Sequence, residues 1–279
     1  HDPQSIMVDP HGEFDDDPDV VIAATDSGLV HISTDDGTTW TVPEGLPDAG
    51  FSSVRRLIKT YDGQHTTFLI AKDSAGYALY RSEDMAASFD AILDMGNFPG
   101  DLWIPRNGDT TLYAYSNDGL LVSDDLGETW ETRGMVDGEP DRAEITGSEA
   151  GAPQLWVVTN GDALHGSSDA GMTWSFAHAV SDYWGTLNAS ITDPDMLAWG
   201  GVHVYRSYDA GNSFDIPNEW GAYYGDPVNK LHADIPGIDV LLDDDGTELW
   251  YINTDGGLYR SEDNIQTVEN LSLDGLRVS

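Results

Sequence analysis

The chain has 279 residues, 50 of them acidic and 12 basic, for a formal net charge of −38. Lysine occurs only at Lys59, Lys72 and Lys230, so the clustered cations that neutralise nucleic-acid phosphates or anionic lipid headgroups are missing. Cysteine is absent, which excludes disulfides and thiolate metal sites, and no run approaches the roughly 20 apolar residues of a membrane helix.

Short apolar runs alternate with Gly, Asp, Asn and Pro from end to end, which predicts many short strands joined by tight turns. The first unit reads as a strand over 5–9, an acidic loop over 11–19, a strand over 20–25, a turn at 26–28 and a strand over 29–33. An octet follows, Ser33-Thr34-Asp35-Asp36-Gly37-Thr38-Thr39-Trp40, whose last residue opens a fourth strand. The same order predicts strands over 54–58, 67–72, 78–82 and 89–93, then 112–115, 120–123 and 130–132, then 154–159, 163–167 and 174–177. The last two units give 197–199, 202–207 and 214–216, then 238–242, 248–253, 258–261 and 267–270. No helix is predicted, and no linker divides the chain into domains. Residues 276–279 read as one more inner strand, which either pairs with the first unit or begins a seventh.

The octet is what repeats. Copies begin at Ser33, Ser82, Ser123, Ser167, Ser207 and Ser261, 40 to 54 residues apart. Those at 123, 167 and 207 read SDDLGETW, SSDAGMTW and SYDAGNSF. The copy at 82, SEDMAASF, has Ala for Gly, and the copy at 261, SEDNIQTV, lacks both Gly and the aromatic. This period with all-β patterning fits one four-stranded propeller blade per repeat. The expected fold is an all-β propeller of four-stranded antiparallel blades. Six blades are expected, the alternative being seven with the last truncated.

The residue types suit a turn. An Asp carboxylate can accept backbone N–H groups of its own turn, and Gly supplies positive φ at little cost. The aromatic should pack beneath the turn or between blades. Structural roles are therefore expected for Asp35, Gly37 and Trp40; Asp84; Asp125, Gly127 and Trp130; Asp169, Gly171 and Trp174; Asp209, Gly211 and Phe214; and Asp263. A motif spread over every repeat is a poor candidate for a single catalytic centre.

Ser-x-Asp-x-Gly-x-Thr-Trp resembles the Asp-box, or BNR, repeat of sialidases, xyloglucanase-type glycoside hydrolases, sortilin-type receptors and photosystem II assembly-factor-like propellers. The resemblance covers the whole chain and implies a β-propeller. It does not imply one activity, because unrelated functions share the scaffold. For a sialidase it would imply an arginine triad gripping a substrate carboxylate. Here Arg81, Arg206 and Arg260 each stand just before a box Ser, as repeat elements. A hydrolase of neutral polysaccharides needs two close carboxylates in an aromatic cleft, and nothing in the sequence marks such a pair. No G-x-S-x-G, H-E-x-x-H or P-loop occurs, and the eight histidines lack ligand spacing.

We therefore expect a non-enzymatic, exported propeller, extracellular or periplasmic, that presents a loop face to a protein or glycan partner, with no cofactor. The alternatives are a glycoside hydrolase acting on a neutral polysaccharide and an assembly factor for a membrane complex. Export is read from the start at His1 without Met. The acidity reads as a solvated surface or salt adaptation, or as a calcium-rich exterior. The contact candidates are Tyr183 and Trp184 in the run 175–187, and Trp220, Tyr223 and Tyr224 in the long interruption 215–237, with Phe51 a fainter one. Such aromatics either fold back on the blades or form a contact surface. No metal is expected; Asp243, Asp244 and Asp245, with Asp15, Asp16 and Asp17, are weak calcium candidates.

Overall fold

The structure, a computed structural model, describes residues 3–9, 20–25, 28–46, 50–60, 66–150, 154–243 and 245–274. Asp15, Asp16, Asp17 and Asp244, and the strand expected at 276–279, lie outside the described residues. The chain is a β-propeller in which each repeat makes one up-and-down antiparallel sheet. It falls into two compact units, 1–132 and 133–279, with three blades in each.

In the first unit, blade one is β1 (Pro3–Asp9), β2 (Val20–Thr25) and β3 (Val30–Ser33). Blade two is β4 (Ser53–Lys59), β5 (Thr67–Lys72), β6 (Tyr77–Ser82) and β7 (Asp90–Gly96). Blade three is β8 (Asp101–Trp103), β9 (Leu112–Ser116), β10 (Gly119–Ser123) and β11 (Glu131–Thr132). In the second unit, blade four is β12 (Ala143–Ser148), β13 (Gln154–Thr159), β14 (Ala163–Ser167) and β15 (Ser175–Ala179). Blade five is β16 (Leu187–Ala189), β17 (Leu197–Gly200) and β18 (Val204–Ser207). Blade six is β19 (Gly237–Leu242), β20 (Glu248–Thr254), β21 (Gly257–Ser261) and β22 (Glu269–Asn270).

Two expectations need correcting. The fourth strands of blades one and five shrink to single bridges, Ile32 with Thr41 and Arg206 with Asp215, so these sheets have three strands. The strand expected over 174–177 instead runs over Ser175–Ala179, and Leu187, at the end of the run that holds Tyr183 and Trp184, begins β16. Among the described residues there are also two short 3-10 turns, Trp220–Gly225 and Leu271–Asp274, where no helix was expected.

Within each unit the core lies in layers between neighbouring blades. The central strands β5, β9 and β10 are buried almost throughout, a pattern that suits sheets covered on both sides. Between blades two and three, Phe68, Ile70 and Leu79 pack with Leu102, Leu112 and Ala114. Between blades five and six, Ala198 and Val204 pack with Val240, Trp250 and Ile252. Blades are also clasped by hydrogen bonds to the box. Arg81 Nη1 donates to Leu126 O at 2.9 Å, Arg133 Nη1 to Ala170 O at 2.8 Å, Trp156 Nε1 to Ala210 O at 3.0 Å and Arg206 Nη1 to Ile265 O at 2.7 Å. In each case the preceding blade or the segment leading from it supplies the donor, and the middle of the next box supplies the carbonyl.

Candidate functional site

The box comes first, because it carries the most regular polar chemistry. In the first copy the Ser33 hydroxyl donates to Asp35 Oδ1 at 2.7 Å and accepts the Gly37 N–H at 2.9 Å. The Thr39 N–H and hydroxyl donate to the two Asp35 oxygens, both at 2.7 Å. The same two bonds from the Thr or Ser at the seventh position reach Asp84, Asp125, Asp169, Asp209 and Asp263 at 2.6 to 2.9 Å. Both oxygens of every box carboxylate are therefore occupied within their own turn.

These bonds stabilise the ionised form. Asp125 and Asp169 are held down at about 2, first by the Thr129 and Thr173 hydroxyls, then by the N–H groups of the same residues. Asp35 is lowered, first by the Thr39 N–H, and Asp209, first by the Ser213 hydroxyl. Burial pushes Asp84 and Asp263 upward as the largest single influence, but their hydrogen bonds together outweigh it and both end lowered. A downward shift is what a structural acceptor shows; the general acid of a glycosidase needs the opposite.

The box aromatics take several seats. Trp40 is 43% exposed and folds over its own turn, its indole N–H on Gly37 O at 2.9 Å. Trp130 packs against the layer between blades two and three. Trp174 donates to Gly134 O at 3.2 Å, and Phe214 meets Trp199 with ring centroids 3.9 Å apart.

The other end of the blades carries the fourth-to-first connections and the second-to-third turns. Here Phe51 departs from expectation. It is buried in the layer between blades one and two, edge-on to Tyr80 at 5.2 Å, because the Gly28 turn brings its backbone against the neighbouring blade. It is core, not contact surface. Tyr183 is half-buried, with its hydroxyl donating to the Glu144 carboxylate. Trp184 is 44% exposed while its N–H is fixed to Gly200 O at 2.9 Å.

The interruption 215–237 is divided between the two readings offered for it. Leu231 and Ile235 fold back into the layer between blades five and six. Asn218 accepts the Leu231 N–H and donates to Leu231 O. Asn270 donates its side-chain amide to Pro227 O at 3.1 Å and its N–H to Val228 O at 3.2 Å. Between these anchors the turn Trp220–Gly225 buries none of its residues. Trp220 is 46% and Tyr224 71% exposed. Their rings meet edge-to-face at 5.9 Å, Tyr224 meets Tyr223 at 5.5 Å, and Tyr223 meets His232 at 4.6 Å. This row of near-perpendicular rings has His232 as its foot. His232 Nδ1 is 2.5 Å from Asp255 Oδ1, and its N–H donates to the Tyr259 hydroxyl at 3.3 Å. Burial pushes that hydroxyl up to about 12, so it stays protonated.

Trp184 and the ridge are tied to the same turn, 200–203. From one side Asp182 Oδ2 accepts the Val202 N–H at 2.7 Å. From the other, Ile235 N–H donates to Gly201 O at 2.8 Å and Asp234 N–H to Val202 O at 3.2 Å. Sequence reading found the exposed aromatics. It missed the supports Asn218, His232, Asp255 and Asn270, which follow no spacing and become neighbours only when blades five and six stack.

Among the described residues no group of three or more His, Asp or Glu is placed to hold a metal. Asp243 Oδ1 instead accepts the Asp245 and Thr247 N–H groups at 3.0 and 2.8 Å. Of the arginines that precede a box Ser, Arg81 and Arg206 clasp neighbouring boxes, and Arg260 pairs with Glu262 and Glu269 of its own blade.

No protein-family model matches the chain, and no curated protein matches it in sequence. Solved structures do resemble it. An ancestral GH74 enzyme superposes with a TM-score of 0.63 at 16% identity, over 92% of this chain, and this chain spans only 36% of that enzyme. YCF48 from Cyanidioschyzon merolae gives 0.56 at 17% identity over 96% of this chain and 84% of its own. BBS1N, solved in complex with ARL6DN, gives 0.57 at 12% identity over 94% and 81%. At such identities the likeness establishes the fold, a β-propeller, and nothing finer.

Proposed function

We propose that the protein is a non-catalytic, exported propeller scaffold that binds a protein or glycan partner through the loop face of its second unit. The observation that carries this reading is the exposed aromatic ridge on a rigidly anchored insertion. Exposing Trp220 and Tyr224 forgoes apolar burial worth roughly 1.5–3 kcal/mol for a large side chain, in a segment that does bury Leu231 and Ile235. Apolar exposure at fixed positions is the mark of an interaction surface. The box aspartates, with both oxygens engaged and their pKa values lowered, support a scaffold role for the opposite end.

Structural neighbours are compatible with this reading, since one was solved with a D1 peptide and another with ARL6DN. The GH74 neighbour keeps a hydrolase as the competing reading. The deciding experiment has two arms. Incubation with a panel of neutral plant and microbial polysaccharides should release no reducing ends; sustained product formation sinks the scaffold reading. Crosslinking and affinity capture from the native source should recover a partner with the wild type and lose it with Trp220→Ala/Tyr224→Ala.

A further inference from the structure

Resting on that reading, we infer that the ridge of Trp220, Tyr223 and Tyr224 is a docking site for a cationic peptide segment carrying spaced Lys or Arg side chains. Two features of the ridge select this occupant. The rings stand at 82° (Trp220 to Tyr224), 76° (Tyr224 to Tyr223) and 81° (Tyr223 to His232), so each corner offers an aromatic face beside an edge. Aromatic faces attract ammonium and guanidinium groups, and the protein uses this pairing internally, with Arg206 over Tyr208 at 5.1 Å.

The second feature is charge. The segment 215–237 carries four carboxylates against the single Lys230; Asp215 is paired with Arg206, which leaves Glu219, Asp226 and Asp234. Glu219 and Asp226 flank the two ends of the ringed turn. The Glu219 side chain is 77% exposed, and Asp255 beside the His232 foot is 57% exposed. A neutral glycan would use the rings and could donate hydroxyls to the carboxylates, but would gain no charge attraction from them. An acidic peptide or anionic sugar would be repelled by them and by the net charge of −38. A cationic side chain gains from both at once. The anchors at Asn218, Asn270, Leu231 and Ile235 hold the rings in place beforehand, which reduces the ordering cost of binding.

The test is calorimetric titration of the whole chain with a short alternating Lys/Gly peptide, a matched Arg/Gly peptide, a matched Glu/Gly peptide and a neutral cello-oligosaccharide. The expected result is saturable binding of the two cationic peptides only. That binding should weaken about tenfold in Trp220→Ala or Tyr224→Ala, weaken in Glu219→Gln, and weaken with added NaCl. Phe176→Ala, which removes an equally exposed ring from β15, should change nothing. Unaltered melting temperatures would show that the ridge variants are folded, as the exposure of these side chains implies. Cationic peptides that bind wild type and ridge variants alike would be held by net charge alone, which overturns the inference. Absence of peptide binding overturns it too. Oligosaccharide binding at the ridge without peptide binding overturns it while leaving the scaffold reading intact, whereas hydrolysis of the oligosaccharide overturns the scaffold reading itself.

Discussion

Ala86 and Ile265 occupy the box position that Gly37, Gly127, Gly171 and Gly211 fill elsewhere, and both keep its left-handed conformation, at φ 63° and 61°. The residue before is left-handed too in every copy, from Asp36 at 56° to Asn264 at 56°. The two copies that look eroded in sequence thus retain the whole turn, including the Ala86 and Ile265 N–H bonds to Ser82 and Ser261 at 2.9 and 3.0 Å. What replaces glycine's freedom is burial: both side chains are fully buried in inter-blade layers. A non-glycine residue in this conformation costs roughly 1–2 kcal/mol, and deleting a large buried aliphatic side chain costs roughly 2–5 kcal/mol. Ile265→Gly should therefore destabilise by about 2 kcal/mol, while Ala86→Gly, losing a single methyl group, should be neutral or slightly stabilising. Urea denaturation of both variants checks the contrast, and equal losses would refute it. Ser167→Ala strands the buried Gly171 N–H and should cost about 1–3 kcal/mol by the same measurement.

The aspartates of these turns also set a pH dependence. Asp125 and Asp169 titrate near 2 in the folded state against about 3.9 for the unfolded group. A depressed folded value means the unfolded chain binds the proton first. Their contribution is therefore complete above about pH 4 and is lost as pH falls towards 2. Protonating the other carboxylates relieves self-repulsion over the same range and works the other way. The discriminating quantity is thus a difference. The melting-temperature gap between wild type and Asp169→Asn should be widest above pH 4 and close towards pH 2; a gap independent of pH would show that the carboxylate's charge is not what the turn uses.

At the scale of elements, the clasp ties neighbouring blades together within each unit. Arg206 grips Asp215 with Nε and Nη2 at 2.9 and 3.0 Å while Nη1 reaches the next box. Arg206→Lys keeps a cation but loses the fork, and should lower stability by about 1–2 kcal/mol, read as a shift in the urea midpoint. Middle strands such as Thr67–Lys72 and Gln154–Thr159 were legible to the residue, because buried central strands carry continuous β-branched and aromatic runs. The inner strands Asp101–Trp103, Ala143–Ser148 and Leu187–Ala189 were not. They are short or rich in small residues, and their strand character comes from pairing with β9, β13 and β17. The site was half legible for a related reason. Trp220 and Tyr224 announce themselves as aromatics in a glycine-containing loop, whereas Phe51 in a similar setting is buried by the close backbone approach at Gly28.

For the whole molecule the dominant quantity is net charge. Fifty acids against twelve bases repel one another over about 10 Å at 0.1 M ionic strength, and over about 3 Å at 1 M. The melting temperature should rise progressively with NaCl or KCl across that range. Calcium acting through specific sites would instead give a rise that saturates at millimolar concentration or below. Titrating the two salts in parallel by differential scanning calorimetry separates salt adaptation from calcium binding, and a melting temperature indifferent to both would leave the acidity as a plain solubility device.

The box has one further consequence, in time rather than energy. Its bonds join residues only two to four apart along the chain, so a turn can close before any distant contact exists. Closing such a short loop costs little chain entropy and is fast. The third and fourth strands of a blade can thus be brought into register while neighbouring blades are still unformed. The chain has six such starting points, so losing one turn should slow folding less than losing an inter-blade layer would.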